Sequence, residues 1–462
     1  MLNARQLALY LGPLSGAIVA GLMSLNGWSF EGSMAAGLTT LCALWWVFEP
    51  IPIAATSLIP LALFPLFGIL DGAQVAQAYG DPLILLLMGG AMLSRAMEKS
   101  GAHRRLALSM VNLVGGHDQR RMVFGFMVAA AILSMWVSNT ATTLMLLPVA
   151  HAVLESDSDR NSTHTLAVPL FLGIAYAASI GGLGTPIGSP PNVLFLKFYG
   201  EATGQVPSFG QWMLWALPVV LIMIPLAGLW ITRNLHSSGA LEIPETGPWR
   251  AAELRVMVVF ALTAVAWITL REPLGGWSTW FNAPTANYAA VALTAVILMF
   301  IVPDGSGGKL LDWQTASTIH WGVLLLFAGG IAIAKAFSVT GISAAIGEQM
   351  SLVTRLSLLL LIAVIALSVT FLTEITSNTA TTALLMPILA AAALNADLEP
   401  ALLMLPAALS ASCAFMLPVA TAPNAIVFGT GKVSVEQMVR TGFALNLIGT
   451  AVITGTVYLW LG

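Results

Sequence analysis

Apolar residues run along this chain in membrane-length blocks separated by short polar loops. A helix needs about 20 apolar residues to cross a bilayer. Blocks of that kind lie near 7–25, 33–48, 53–70, 82–98, 166–199, 212–233, 254–270, 286–303, 320–338, 400–430 and 437–461, which predicts eleven spans. The first block is long for a signal-peptide core and has no convincing small-residue cleavage site, so it reads as a retained helix. The blocks at 166–199 and 400–430 are too long for one straight helix. The first is interrupted from Gly181 to Asn192, the second from Pro418 to Asn424. Glycine and proline there unwind a helix and free its backbone carbonyls.

Two further apolar stretches, about 122–155 and 356–394, each have two arms around a polar centre. The arms are shorter than a span requires. They predict re-entrant hairpins that enter and leave on one side, rather than two crossings joined at a polar turn. The polar centres are identical. Ser138-Asn139-Thr140-Ala141-Thr142-Thr143 recurs as Ser377-Asn378-Thr379-Ala380-Thr381-Thr382, and Pro148 and Pro387 follow at the same distance. Gly89, Gly90, Arg95 and Gly101 match Gly329, Gly330, Lys335 and Gly341. Ser189-Pro190-Pro191-Asn192 matches Thr421-Ala422-Pro423-Asn424, and Glu49-Pro50 answers Glu272-Pro273 more loosely.

Each repeated unit holds five crossings and one hairpin. An odd number inserts the second unit upside down, so the two tips meet near the midplane. The expected fold is an all-α polytopic membrane protein of eleven transmembrane helices and two re-entrant hairpins in an inverted repeat. Its expected division is an N-terminal scaffold helix at 1–32, a first unit at 33–235 and a second at 254–462, with scaffold and transport domains interleaved. Residues 99–114 and 340–353 read equally as interfacial helices or as loops.

Charge tests this layout. With the N-terminus in the cytoplasm, fourteen basic residues fall inside: Arg5, Arg95, Lys99, Arg104, Arg105, Arg120, Arg121, Arg160, Arg233, Arg250, Arg255, Lys309, Lys432 and Arg440. Only Lys197, Arg271, Lys335 and Arg355 fall outside, a strong positive-inside bias. It places the C-terminus outside, in what would be a bacterial cell membrane. Of 462 residues, 58% are hydrophobic and 8% charged, against about 25% charged in soluble domains. No basic patch suggests a nucleic-acid partner. Cys42 and Cys413 lie in apolar blocks and read as buried free thiols. Asn161-Ser162-Thr163 matches a glycosylation acceptor but falls on the cytoplasmic side. Trp45, Trp46, Trp277 and Trp280 read as interfacial belt residues.

A polar hexapeptide inside an apolar block is costly unless it binds something. Sodium takes hydroxyl, amide and freed backbone oxygens. Ser134, Ser138 and Asn139 supply side-chain oxygens at the first tip, with the Gly188 carbonyl in the adjoining unwound loop. Thr373, Thr376 and Asn378, with the Ala420 carbonyl, repeat the set. An anion takes helix N-termini and N–H or O–H donors. The second arm of each hairpin starts at the tip, where Asn139, Thr140, Asn378 and Thr379 present donors. No lysine or arginine lies in the tips or the unwound loops, so a dianion there would be neutralised by bound sodium and helix dipoles. Glu374 replaces Met135 of the first unit and reads as facing a water-filled mouth. Its alternative is a proton-sensitive group near the second cation set. Glu49 and Glu272 read as solvated.

On these residues the chain resembles the divalent anion:sodium symporter family over essentially its whole length, most specifically in the tips at 138–140 and 377–379 and the loops at 189–192 and 421–424. The resemblance implies a homodimer, elevator-type transport, and symport of two or more sodium ions with a small dianion such as succinate, malate, citrate or sulfate. It implies sodium at Ser134, Ser138, Asn139 and Gly188 and at Thr373, Thr376, Asn378 and Ala420. Substrate would meet Asn139, Thr140, Ser189, Asn378, Thr379 and Thr421. The second loop departs from the family's usual Thr-Pro-Pro-Asn at Ala422, which loosens the backbone beside the substrate. The leading expectation is sodium-coupled symport of a four-carbon dicarboxylate. The runner-up is a sodium-independent exchanger, or a citrate or sulfate carrier, of the same fold. An intramembrane enzyme would need a nucleophile with its base, an Asp pair or a His-Glu-x-x-His motif, and the sequence has none. A channel suits a closed two-fold site with cation ligands less well than alternating access does.

Overall fold

A computed structural model of the chain describes residues 4–115, 118–156, 160–235, 247–273, 275–349 and 357–462. Arg355 and residue 356, the start of the second expected hairpin, lie outside the described residues. Among the described residues the fold is all-helical apart from one isolated bridge, Pro303 to Lys309.

The chain opens with α1 (Ala4–Leu25) packed along α2 (Phe30–Phe48). Where the sequence predicts one span over 53–70, the structure has α3 (Ile53–Thr56) and α4 (Ile59–Leu66), then α5 (Gly72–Tyr79). Pro60 sits near the start of α4 and Pro65 inside it, and each removes a backbone donor. Gly68 then turns the chain with φ 68°.

Next come α6 (Pro82–Ser100), α7 (Ala102–Gly115), α8 (Gln119–Ser134), α9 (Asn139–Ser156), α10 (Arg160–Gly181), a 3₁₀ turn at Gly182–Gly184, α11 (Pro190–Thr203) and α12 (Phe209–Thr232). A middle section holds α13 (Ala251–Ile268), α14 (Gly276–Trp280), α15 (Tyr288–Ile301) and α16 (Trp313–Ala316). The last section is α17 (Trp321–Val339), α18 (Ile342–Gln349), α19 (Leu358–Leu372), α20 (Asn378–Asn395), α21 (Ala401–Ala411), α22 (Ala422–Gly429) and α23 (Val435–Leu461).

From α6 to α12 and from α17 to α23 the order of elements is the same. A long helix ends beside a positive-φ glycine, Gly101 or Gly341. A shorter helix follows, so 102–115 and 342–349 are helical rather than loops. Two helices then meet at Ser-Asn-Thr, a broken pair follows, and a long helix closes the section. The breaks fall where proline and glycine predict them.

Buried apolar side chains separate into two cores. The smaller joins α6, α13 and α15 through Leu93, Val256, Trp267, Ala292 and Met299. The larger surrounds α8 to α12 and α19 to α23 and includes Phe126, Phe171, Phe195 and Phe415. Within it the broken pairs exchange partners: α11 packs on α20 and α21, and α22 on α9 and α10. This interleaving brings the two interruptions together.

Among the described residues, eight helical stretches are long and apolar enough to cross a membrane, and four apolar helices are shorter. Leu14, Ile18 and Leu22 on α1, and Leu254, Val258, Leu262 and Val265 on α13, are exposed. Such a surface belongs in lipid, and the chain is an integral membrane protein. Trp46 departs from the expected belt role. It is fully buried and donates from Nε1 to Ser57 Oγ at 3.1 Å, since a buried indole needs an acceptor. Cys42 and Cys413 are buried and free, and Glu49 and Glu272 are exposed.

Among the described residues three ion pairs join distant elements. Lys99 Nζ meets Asp312 Oδ2 at 2.7 Å, tying α6 to the N-cap residue of α16. Arg105 Nε meets Glu253 Oε2 at 2.8 Å, tying α7 to α13. Lys197 Nζ meets Asp81 Oδ2 at 2.5 Å, tying α11 to the N-cap residue of α6.

Candidate functional site

Each tip is built from a helix that stops and another that starts. Helix α8 ends at Ser134 and α9 begins at Asn139; α19 ends at Leu372 and α20 begins at Asn378. Ser138 and Ser377 cap the new helices. Ser138 Oγ accepts from the Ala141 N–H at 3.2 Å and Ser377 Oγ from the Ala380 N–H at 3.5 Å. One turn on, Thr143 Oγ1 donates to the Asn139 carbonyl at 2.8 Å and Thr382 Oγ1 to the Asn378 carbonyl at 2.7 Å. The hexapeptide is therefore partly a helix-start device, and its central Asn-Thr remains for other work.

The two asparagines are held alike. Ser134 Oγ donates to Asn139 Oδ1 at 2.5 Å, and Thr373 Oγ1 donates to Asn378 Oδ1 at 2.5 Å. Thr373 Oγ1 also reaches the Ala411 carbonyl at 3.0 Å. Each carboxamide oxygen thus points back into its tip, and each amide nitrogen keeps donors to offer. Thr376 Oγ1 donates to the Leu372 carbonyl at 2.8 Å and lies 2.7 Å from Thr381 Oγ1.

The unwound segments carry their own staples, which the sequence pattern marks only as Pro-Asn. Asn192 Nδ2 donates to the Gly182 carbonyl at 2.8 Å and the Thr185 carbonyl at 2.7 Å. Asn424 Nδ2 donates to the Ala414 carbonyl at 3.1 Å and the Leu417 carbonyl at 3.0 Å. Both asparagines are fully buried. Ser189 Oγ lies 2.9 Å from Ser412 Oγ, so the first segment touches the second.

The predicted residues converge on one cavity of about 860 Å³. Ser138, Asn139, Thr140, Gly188 and Ser189 line it from the first section; Thr376, Asn378, Thr379, Ala420 and Thr421 line it from the second. Ser134 and Thr373 stand behind the wall, fully buried, and reach the cavity through Asn139 and Asn378. Arg5, Glu49, Arg95, Glu98 and His320 also line the cavity. All five belong to segments that the charge pattern places in the cytoplasm.

Backbone and carboxamide oxygens pack closely at the first tip. A Cβ on Gly182 would lie 2.8 Å from Asn139 Oδ1 and 3.0 Å from the Gly188 carbonyl oxygen. A Cβ on Gly188 would lie 2.6 Å from the Gly182 carbonyl oxygen and 3.0 Å from that of Met135. Oxygens crowd around both glycines, and only the absence of side chains permits it. Carbonyl and carboxamide oxygens of this kind are the ligand type that a hard cation takes, and the Asn139 amide nitrogen lies beside them. Among the described residues no group of three or more His, Cys, Asp or Glu side chains could hold a metal.

Glu374 does not face a mouth. It is 3% exposed, and its carboxylate accepts from the backbone N–H groups of Phe415, Met416 and Leu417 and from Asn446 Nδ2. The expectation fails because its partners lie more than forty residues along the chain, where no local pattern points.

The description "Sodium:sulfate symporter transmembrane region" fits residues 17–461. The chain belongs to this symporter family. Other similarities agree with that membership. A protein named sodium-dependent dicarboxylate transporter from Staphylococcus saprophyticus is 38% identical over 478 residues, covering 99% of this chain and 91% of the relative. One of the same name from Staphylococcus aureus is 38% identical over 473 residues, covering 98% and 90%. Among solved structures, the YdaH transporter of Alcanivorax borkumensis aligns with TM-score 0.61 at 14% identity over 94% of this chain and 99% of that one. MtrF of Neisseria gonorrhoeae aligns with TM-score 0.52 at 12% identity over 85% of each. At these identities the structures support the fold alone. Membership in the symporter family makes this chain a transporter and not an enzyme.

Proposed function

We propose that this chain is a secondary active transporter that couples sodium entry to uptake of a four-carbon dicarboxylate such as succinate or malate. One observation carries the reading. Two asparagines, Asn139 and Asn378, are each anchored by a hydroxyl five residues earlier and line the same cavity, with no lysine or arginine in either tip. Two like donor sets in one cavity suit an anion charged at both ends, and the names of the Staphylococcus relatives support that substrate class.

The first sodium is held by Ser134, Ser138, Asn139 and Gly188, the second by Thr373, Thr376, Asn378 and Ala420. The carboxylates meet Asn139, Thr140, Ser189, Asn378, Thr379 and Thr421. Sodium is cargo here, and it also supplies the charge that the protein lacks at this depth. A dianion without compensation would cost several kcal/mol inside a membrane.

Arg5, Glu49, Arg95, Glu98 and His320 line the cavity, and with the orientation expected from the charge pattern this supports a form that faces the cytoplasm. The opposite face is tied by Asp81 and Lys197. In the proposed cycle the two sections form an inverted repeat in a homodimer. The hairpins and broken pairs, α8 to α11 and α19 to α22, move as an elevator past a scaffold that is interleaved with them along the chain and includes α6, α13 and α15. The test is succinate uptake into proteoliposomes at fixed ionic strength, with sodium or with choline, then under an imposed membrane potential. Sodium-dependent uptake that carries net positive charge inward is expected. Equal uptake in choline would replace symport with anion exchange.

A further inference from the structure

Glu374 breaks the likeness of the two sections. At the equivalent place the first section has Met135. Oε1 of Glu374 accepts from the Phe415 N–H at 2.8 Å, the Met416 N–H at 2.9 Å and Asn446 Nδ2 at 2.7 Å, and Oε2 accepts from the Leu417 N–H at 3.0 Å. Three successive backbone amides of the unwound segment thus converge on one carboxylate. Among the described residues it forms no ion pair. Buried carboxylates are tolerated when N–H donors surround them, and backbone amides in succession form a nest for an anion.

The contacts run on toward the cavity. The carbonyl of Leu417 accepts from Asn424 Nδ2 at 3.0 Å and from the Ala420 N–H at 3.2 Å. Ala420 and Thr421 both line the cavity. From the other side α23 presses directly on the segment: a Cβ at Gly442 would overlap the Phe415 carbonyl. On the same helix, Asn446 supplies the fourth donor. The first section closes its joint differently. Thr185 Oγ1 donates to the Met135 carbonyl, and glycines let the segment pack tightly. Leu417 stands where Thr185 would be and has no hydroxyl.

Building on the sodium-coupled reading above, we propose that Glu374 is a positioning residue for the second cation site. Its carboxylate holds residues 415–417 against the hairpin, and Leu417 passes that placement to Ala420 and Thr421. Sodium affinity at the second site therefore depends on a side chain that does not touch the ion. A purely structural cap would affect only the yield of folded protein or its maximal rate.

The experiment uses full-length protein in proteoliposomes, with Glu374→Gln and Asn446→Ala measured beside wild type. Glutamine keeps the shape but turns an N–H₂ toward one of the four donors. Losing a contact to a charged acceptor should raise the sodium half-saturation for succinate uptake about tenfold. Maximal rate at saturating sodium should fall much less, and amide exchange across 413–421 should speed up unless sodium is high. Asn446→Ala, which removes one donor and keeps the carboxylate, should shift both in the same direction by less. It carries the test if Glu374→Gln does not fold. Uptake lost with sodium half-saturation unchanged, or exchange unchanged in both variants, would overturn the proposal. If wild type itself takes up succinate equally in choline, the sodium-coupled reading fails. The sodium arm fails with it, and exchange at 415–417 alone then decides whether the carboxylate holds the segment.

Discussion

At the first tip, Gly182 and Gly188 carry no side chain, and carbonyl oxygens close in to fill the space. At the second, Ala414 and Ala420 stand in the same places. Two added methyl groups keep that segment from folding down as tightly, and a carboxylate draws it in through N–H donors instead. The first joint is fastened by a hydroxyl giving to a backbone carbonyl, the second by a carboxylate receiving backbone amides. The tips themselves stay alike, asparagine for asparagine at matching distances. The geometry of the proposed ligand-facing tips is duplicated, while the means of holding it in place has diverged.

Substitutions at the tips test the shared part and should have the largest effect. Asn139→Ala and Asn378→Ala should each lower sodium-dependent succinate uptake by at least on the order of 100-fold, since in the proposed site each amide serves two charged ligands. Uptake near the wild-type rate by either purified, monodisperse variant would remove the site. Next comes the glycine contrast. Gly188→Ala places a methyl against the Gly182 carbonyl and should raise the sodium half-saturation by about tenfold or more. Ala420→Gly removes a methyl where none is needed and should change it by less than about threefold. Equal shifts would erase the proposed difference between the joints.

Smaller effects are expected from the staples. Asn192→Ala and Asn424→Ala each strand buried carbonyls and should cost about 1–3 kcal/mol of stability, read as a lower melting temperature in detergent. If Glu374 shares the burden in the second section, Asn424→Ala should lower it less than Asn192→Ala. Smallest is Ala422→Pro. Ala422 has a backbone N–H where Pro190 has none, at the first turn of α22 beside the cavity. Removing that donor should raise the succinate KM about two- to fivefold with little change in maximal rate. An unchanged KM would mean that the substrate does not use it.

The repeated hexapeptide and the Pro-Asn breaks were legible because a repeat exposes itself. Every tip residue named from the pattern lies at or directly behind one cavity. The block at 53–70 is helical but divided, because apolar character alone does not weigh its two prolines, Pro60 and Pro65. Trp46 looked like a belt residue until Ser57 folded back onto its indole. Glu374 was the least legible. Comparing copies marks it as an exception but names no partner, and its donors come from two elements far along the chain. Patterns report what two copies share; what holds either copy together depends on tertiary neighbours.

The Asp81–Lys197 pair has a kinetic consequence. It joins α11 to the start of α6, elements on opposite sides of the proposed sliding boundary. If α11 travels, the pair must open once per turnover and re-form on the way back. It then governs how long the carrier rests facing the cytoplasm, loaded or empty, rather than how tightly it holds cargo. Asp81→Asn should shorten that rest and speed net uptake and exchange of internal for external succinate alike, because both must leave the cytoplasm-facing form. Rates unchanged in both would place the pair outside the rate-setting step.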